Sequence, residues 1–360
     1  MNEKFKIAIG MNLQKGPFGG GNMFGQALIN FLKNKKTAVV HNLKDPDIDL
    51  ILLTETRQWL KVCAFDARAV TQYLRKKPNT LIVLRVNECD ERKGQKIKLL
   101  NRFILQHVKW ADHVIFISAW LQNLFLRQDH NLKHKSTVIL NGADEKIFNP
   151  IGYQRWERKG PLRLVTHHWG AHWNKGFDIY LALDAQLNKN RQNQIQFTFI
   201  GNLPRGIEFK KTKVIPPQSG QMLANEIKKN HVYLTASRNE PAGMHHIEGG
   251  LCGLPLLYRQ EGALPEYCQG FGIPFCGIQD FPQKLGEMRE NYHLWAQKML
   301  QYPHTANKMA QGYLHLFTAL IKHKQKILSG KRLVGHKLPS YSTTYQILQK
   351  TLYLKEKLLQ

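Results

Sequence analysis

The chain has 360 residues, with 52 Lys and Arg against 26 Asp and Glu, a formal net charge of +26 and a sequence pI of about 9.9. That length suggests roughly two domains of ordinary size, and 42% hydrophobic with 10% aromatic residues excludes wholesale disorder. No run of 18 apolar residues exists, the apolar stretch near the N-terminus is too short for a signal-peptide core, and the five cysteines contain no C-x-x-C pair. These features exclude a transmembrane helix, a secreted disulfide scaffold and a zinc ribbon, and they fit a reducing cytosol. The positive charge is spread over both halves, net +11 in 1–150 and +15 in 151–360. Such a surface is drawn to something anionic: nucleic acid, an acidic membrane face or a phosphorylated substrate.

In chain order, residues 5–10 (FKIAIG) read as a buried strand, followed by a glycine-rich turn and a helix over 22–33. Strands are expected at 37–42, 49–54 and 80–86, helices at 66–76 and 95–110, a strand at 111–118, a helix at 119–127 and a strand at 136–140. Residues 141–163 are punctuated by Asn-Gly, Asn-Pro, Ile-Gly and Lys-Gly-Pro, a linker signature. The alternation restarts with strands at 162–166, 195–201, 214–215, 231–236 and 254–258, and helices at 176–187, 221–229 and 243–251. Beyond about residue 280 the pattern is mainly helical. Short β-branched runs alternating with helical periods predict parallel βαβ units. The expected architecture is α/β, two doubly wound Rossmann-like domains facing across a cleft: 1–145, a linker at 146–161, 162–310, and a basic helical extension at 311–360. Ligands in such sheets sit beyond the carboxyl ends of the strands.

Two segments carry chemistry. The first is KGPFGGGN at 15–22, where Gly19, Gly20 and Gly21 let the backbone approach a ligand and the following helix N-terminus favours an anion. Its spacing is neither G-x-G-x-x-G nor a P-loop, which supports neither a nicotinamide dinucleotide nor an ATPase. The second is RNEPAGMHHIEGGLCGLP at 238–255, directly after a predicted buried strand. Glu240 at the strand end and Glu248 along the next helix are placed to accept hydrogen bonds from two hydroxyl-bearing parts of one ligand.

This Glu-x7-Glu string with its Gly-Leu-Pro resembles the signature of retaining glycosyltransferases of family 4, which have the GT-B fold. Other segments agree in order: STVILNGADEKIFNP at 136–150, NKGFD at 174–178, FTFIG at 197–201, GALPE at 262–266 and FIS at 116–118. The resemblance covers nearly all of 1–300 and is strongest in 136–270. It implies a metal-independent enzyme with no prosthetic group and a UDP- or GDP-sugar as donor. In that reading Glu248 hydrogen-bonds the ribose hydroxyls, Glu240 approaches the transferred sugar, and the amides around Gly243 and Met244, with His245 beside them, contact sugar hydroxyls or phosphate. Lys175 holds the diphosphate, and Gly19–Gly21 face it from the opposite domain.

The sequence departs from the family pattern twice. Where an Arg usually precedes the Lys, the chain reads THHWGAHWNK at 166–175, so His168 or His172 replaces it, or Arg238 or Arg205 supplies the charge; a neutral imidazole is a weaker clamp. Where the family often has a cleft His after a middle strand, the chain reads RVNECDERK at 85–93, which places Asn87 and Glu88, with His172, on the acceptor or sugar side. Trp169 and Trp173 are expected to stack on a sugar face or simply to pack. HHxxxH at 167–172 and HHxE at 245–248 invite a metal reading, but adjacent helical histidines point roughly 100° apart, so at most one pairs with Glu248.

Residues 320–360 hold nine Lys and Arg and one Glu, net +8. Helices over 305–328 and 346–359 with basic and apolar faces fit an anionic membrane surface, or equally a terminal helix folded back over the first domain. The expected function is transfer of a sugar to an acceptor saccharide, glycolipid or other hydroxyl in cell-envelope synthesis, in the cytoplasm or peripherally on the membrane. The alternatives are a DNA-modifying glycosyltransferase with a basic duplex-binding face, and a non-catalytic nucleic-acid-binding protein on the same fold.

Overall fold

The computed structural model describes residues 5–14, 19–189, 194–333 and 343–358. The first half of the glycine-rich segment, 15–18, and the basic stretch 334–342 lie outside the described residues.

Two six-stranded, wholly parallel sheets form the frame. The first contains β1 (Lys6–Ile9), β2 (Ala38–Val40), β3 (Leu50–Leu53), β4 (Leu81–Val86), β5 (His113–Phe116) and β6 (Ser136–Val138), in the order β2-β1-β3-β4-β5-β6. Helices α1 (Gly20–Asn34), α2 (Ala67–Lys76), α3 (Leu99–Trp110) and α4 (Ala119–Leu126) connect them. The second contains β7 (Leu162–His168), β8 (Ile195–Gly201), β9 (Lys213–Ile215), β10 (Val232–Thr235), β11 (Leu256–Arg259) and β12 (Gly272–Phe275), in the order β12-β11-β10-β7-β8-β9. Its helices are α5 (Phe177–Lys189), α6 (Gly220–Lys228), α7 (His245–Leu251), α8 (Leu264–Cys268), α9 (Phe281–Glu290) and α10 (Tyr292–Lys298). β3 (LILL) and β4 (LIVLRV) are buried at every residue, because helices cover both faces of a parallel sheet. Arg85 is the one charge inside that apolar run.

The chain then returns to the first domain. Gly142 and Thr305 pass so closely that a Cβ on Gly142 would fall 2.0 Å from the Thr305 carbonyl oxygen. Beyond this crossing α11 (Ala306–Lys322) packs on α1, placing Met309, Tyr313, Phe317 and Leu320 in one core cluster with Ile7, Phe24 and Leu28. α12 (Lys324–Leu333) follows, and α13 (Thr343–Leu358) lies on α3.

Several expected boundaries shift for local reasons. The helix expected over 95–110 begins at Leu99, because the chain first makes a 3₁₀ turn at Glu91–Lys93 that Gly94 ends at φ 66°. The single helix expected over 305–328 breaks at His323, and the break leaves both Leu320 and Leu328 buried on the first domain. The apolar face of α11, read as a membrane-facing stripe, is therefore occupied by core packing. Among the described residues no helix is long and apolar enough to cross a membrane. β12 (GIPF) and α8 (LPEYC) were not expected; each carries a proline, which breaks the strand or helix signal.

Candidate functional site

A cavity of about 480 Å³ opens between the carboxyl ends of the two sheets, within the size range of small-ligand sites. From the first domain it is lined by Gly19–Gly21, Glu55, Arg85, Asn87 and Arg92, and from the second by His167, His168, Trp169, Lys175, Gln218–Gly220, Glu240 and Gly243–His245, with Glu248.

On the glycine side, the Asn22 side chain in α1 accepts from the Gln14 amide and donates to its carbonyl, tying the chain after β1 to the first turn of the helix. A Cβ on Gly20 would fall 2.4 Å from Met244 Cγ, so only glycine admits the second domain this close.

Lys175 ends a 3₁₀ turn whose following Gly176 has φ 99°; a Cβ there would also strike Ala236 at 2.4 Å. The Asn174 carbonyl accepts from the Arg238 amide, fixing this turn against the loop after β10. That loop carries Glu240, 2% exposed, whose Oε2 pairs with Lys175 Nζ and whose Oε1 lies 3.6 Å from Arg92 Nε of the opposite domain. Burial alone raises a carboxyl pKa, but the Lys175 and Arg92 charges overcome it and hold Glu240 down at about 2. Burial lowers Lys175 in turn, against the attraction of Glu240.

Glu248 accepts from His167 Nε2 at 2.6 Å. Tyr233 sets the tautomer: its hydroxyl accepts from the His167 backbone amide at 3.1 Å and lies 2.9 Å from Nδ1. The hydroxyl therefore donates to Nδ1, leaving Nε2–H to donate to the carboxylate. Neither His245 nor His246 pairs with Glu248. His245 Nε2 bonds Thr235 Oγ1 at 2.8 Å, and its ring fills the space a Gly243 side chain would need. Among the described residues no three His, Cys, Asp or Glu converge on a metal-holding point.

The structure thus brings Gly19–Gly21, Asn87, His168, Lys175, Glu240, Gly243, Met244, His245 and Glu248 to one cavity. Four expected placements fail. Arg238 is captured by Asp178 in the first turn of α5, at 2.9 Å, and Arg205 is exposed on the turn after β8; neither lines the cavity. Glu88 is taken by Arg92 at 2.6 Å, and His172 lies outside the lining, its pKa pushed down to about 4 by burial and by Lys175. His168 lines the cavity but is no phosphate clamp: its Nε2 bonds the Tyr180 hydroxyl at 2.7 Å, and burial keeps it neutral. Trp169 faces the cavity, whereas Trp173 is half exposed outside it. Glu55, Arg85, Arg92, Asn141 and His167 complete the lining; Arg85 and Arg92 bracket the 85–93 string read as the acceptor or sugar side and His167 belongs to HHxxxH, whereas Glu55 and Asn141 had no site role from sequence.

The two domains are also stitched together. The Glu266 carboxylate of α8 accepts from the Ala119 and Trp120 amides that open α4, at 2.7 and 2.6 Å, and the Tyr267 hydroxyl donates to the Ile117 carbonyl.

No family model matches the chain. An uncharacterised glycosyltransferase of Methanocaldococcus jannaschii is 27% identical over 160 residues, 43% of this chain and 42% of the relative, so the chain matches less than half of that protein's length. Among solved structures, a glycosyltransferase from Rickettsia africae aligns with a TM-score of 0.60 at 13% identity, covering 89% of this chain and 99% of that one. Anabaena HepE in complex with UDP and glucose gives 0.58 at 14%, covering 92% and 100%. Sucrose-phosphate synthase from Thermosynechococcus elongatus gives 0.58 at 14%, covering 92% and 98%. At these identities the likeness is one of fold: two Rossmann-like domains in the GT-B arrangement, with a C-terminal helical segment.

Proposed function

We propose that the protein is a retaining glycosyltransferase that moves a sugar from a nucleoside-diphosphate donor to an acceptor hydroxyl in cell-envelope polysaccharide or glycolipid synthesis. The observation that carries this reading is the meeting of two buried, individually partnered carboxylates, Glu240 with Lys175 and Glu248 with His167, in one cavity that Gly19–Gly21 close from the other domain. The curated relative bears a glycosyltransferase name and HepE was solved with UDP and UDP-glucose, which favours a UDP-sugar. In this reading residues 162–310 bind the donor and 1–145 the acceptor.

Glu248, oriented by His167, accepts from the ribose hydroxyls. Lys175 and the free amides at the start of α1 take up the negative charge that grows on the diphosphate as the C1–O bond breaks. Glu240 faces the sugar while steadying Lys175. The acceptor hydroxyl attacks C1 on the face the diphosphate leaves. Its oxygen forms the new bond, its proton passes to the departing phosphate oxygen, and configuration is kept without a protein nucleophile. A purely nucleic-acid-binding surface has no use for two buried carboxylates placed to accept from hydroxyls, so that role is not favoured, and the donor-side geometry gives no support to a DNA acceptor over a saccharide.

Thermal shifts with UDP, GDP, ADP and CMP identify the base, since a ligand at a hundred times its Kd adds about 2.7 kcal/mol of stability. Glu240→Gln is expected to lose at least a hundredfold in turnover and Glu248→Ala at least a hundredfold in kcat/KM, chiefly through KM, while both remain folded, and Glu248→Ala also to lose the nucleotide-dependent shift. Normal sugar transfer by Glu248→Ala would overturn the reading.

A further inference from the structure

The cations in the cleft keep different company. Lys175 is matched by Glu240, and Arg92 by Glu88 and Glu240. Arg85 has no such partner. It is 3% exposed, and its guanidinium lies 3.7 Å over the Phe24 ring. Its Nε donates to the Tyr313 hydroxyl at 3.1 Å and its Nη2 to Asn141 Oδ1 at 3.0 Å. Nη1 has no partner among the described residues, and no described carboxylate lies within ion-pair distance. Glu55, which lines the same cavity, is consumed by the Arg57 guanidinium and by the Thr56 and Arg57 amides.

A guanidinium does not shed its proton, so burial without a counter-charge is costly unless an anion completes the site. Three of its faces are already held: stacking from α1, a hydroxyl from α11 and an amide from the interdomain segment. These contacts fix the fork, use two of its five N–H groups and leave both N–H groups of Nη1 unpaired among the described residues. The residue lines the cavity on the first-domain wall, two positions before Asn87. A planar fork with an enclosed, unpaired Nη1 matches a carboxylate or phosphate oxygen better than a neutral hydroxyl.

We propose that Arg85 is an anion-recognition residue, so that the cleft takes a saccharide bearing a carboxylate or phosphate group, docked on Arg85 Nη1. The inference rests on the nucleotide-sugar reading of the same cavity. The anion belongs either to the transferred sugar or to the acceptor, and the two sources separate experimentally.

Calorimetry would compare UDP-glucose with UDP-glucuronic acid and GDP-mannose with GDP-mannuronic acid. On protein saturated with UDP or GDP, it would compare glucose with glucuronate and with glucose 6-phosphate. In one of these arms the anionic member is expected to bind wild type at least tenfold more tightly than its neutral counterpart. Arg85→Gln should abolish that preference, and Arg85→Lys retain part of it, with affinity for the free nucleotide unchanged. A preference in the donor arm places the anion on the transferred sugar; one in the saccharide arm places it on the acceptor. Equal binding of neutral and anionic probes by wild type, a comparison that needs no variant, would overturn the proposal. So would a preference that survives Arg85→Gln, or a variant whose loss is equal for UDP, GDP and every sugar, which would assign the guanidinium to the diphosphate. Binding by neither UDP nor GDP would overturn the nucleotide site and the inference built on it together.

Discussion

At the scale of single residues, the site is held by pairs that remove each other's freedom. Glu248 sits at the end of a chain that runs Tyr233 hydroxyl, His167 imidazole, carboxylate, every link buried. One carboxylate oxygen is thereby fixed, in a residue that lines the cavity. Cutting His167 leaves a buried carboxylate short of a donor, which costs about 1–3 kcal/mol. His167→Ala is therefore expected to lower stability by that amount in urea unfolding. It should also raise the KM for the nucleotide sugar about tenfold while kcat falls much less, since the carboxylate binds ribose and stands apart from the reacting carbon. His167→Gln, which keeps a donor near the Nε2 position, should recover much of the KM. Equal losses in KM and kcat that Gln does not rescue would show that His167 only supports packing.

At the scale of elements, the alternation of β-branched runs and helical periods was enough to place most strands of both sheets, because the central strands of a parallel sheet, β3 and β4 here, are near-continuous apolar runs. The glutamates and Lys175 were legible because their loops carry obligatory glycines, Gly176 and Gly243 among them. Other features were not legible. His167 pairs across 81 residues and Arg92 crosses the cleft, and no local pattern encodes such a meeting. Arg238 looked like a cleft cation until Asp178, sixty residues away, claimed it. Glu266 belongs to the same class: in sequence it ends a Gly-x-x-Pro-Glu turn, while in space it satisfies two unpaired amides at the start of α4 in the other domain. Capping of this kind is worth about 1–2 kcal/mol, and here it acts on domain closure as well as on a helix. Glu266→Ala is expected to leave each sheet intact but to loosen the closed arrangement. A larger radius of gyration in solution scattering without nucleotide, reversed by saturating donor, would be the sign. An unchanged radius would mean that the Tyr267 bond to Ile117 and the crossing at Gly142 and Thr305 hold the domains without Glu266.

At the scale of the whole molecule, the excess charge and the buried histidines act on stability in the same direction but through different physics. His107, His168, His245 and His246 are all buried, and burial is the leading cause of each low pKa: about 4 for His107, about 3 for His246, and well below the ordinary imidazole value for the other two. His246 is fully enclosed with neither ring nitrogen partnered among the described residues. Between about pH 4 and 6.5 the unfolded chain protonates these rings and the folded chain does not. The unfolded state then binds more protons, so stability rises with pH across that window and levels off above it. Glu240 works in a lower window: its stabilisation is complete above its unfolded pKa and is lost as pH falls toward about 2. The net charge of +26 adds self-repulsion that also grows with acidity. Salt separates the contributions, because in about 1 M salt charges interact over only ~3 Å through solvent, whereas buried groups are barely screened. Urea midpoints measured from pH 8 to pH 4 in low and high salt are expected to be flat above pH 7 and to fall below pH 6.5. The fall should become shallower in high salt but persist, with about seven protons taken up on unfolding near pH 5, because burial also lowers His113, His172, His231 and His304 to about 4. A pH dependence that vanishes in high salt would mean that surface repulsion alone drives acid unfolding and that the buried imidazoles are protonated in the folded protein.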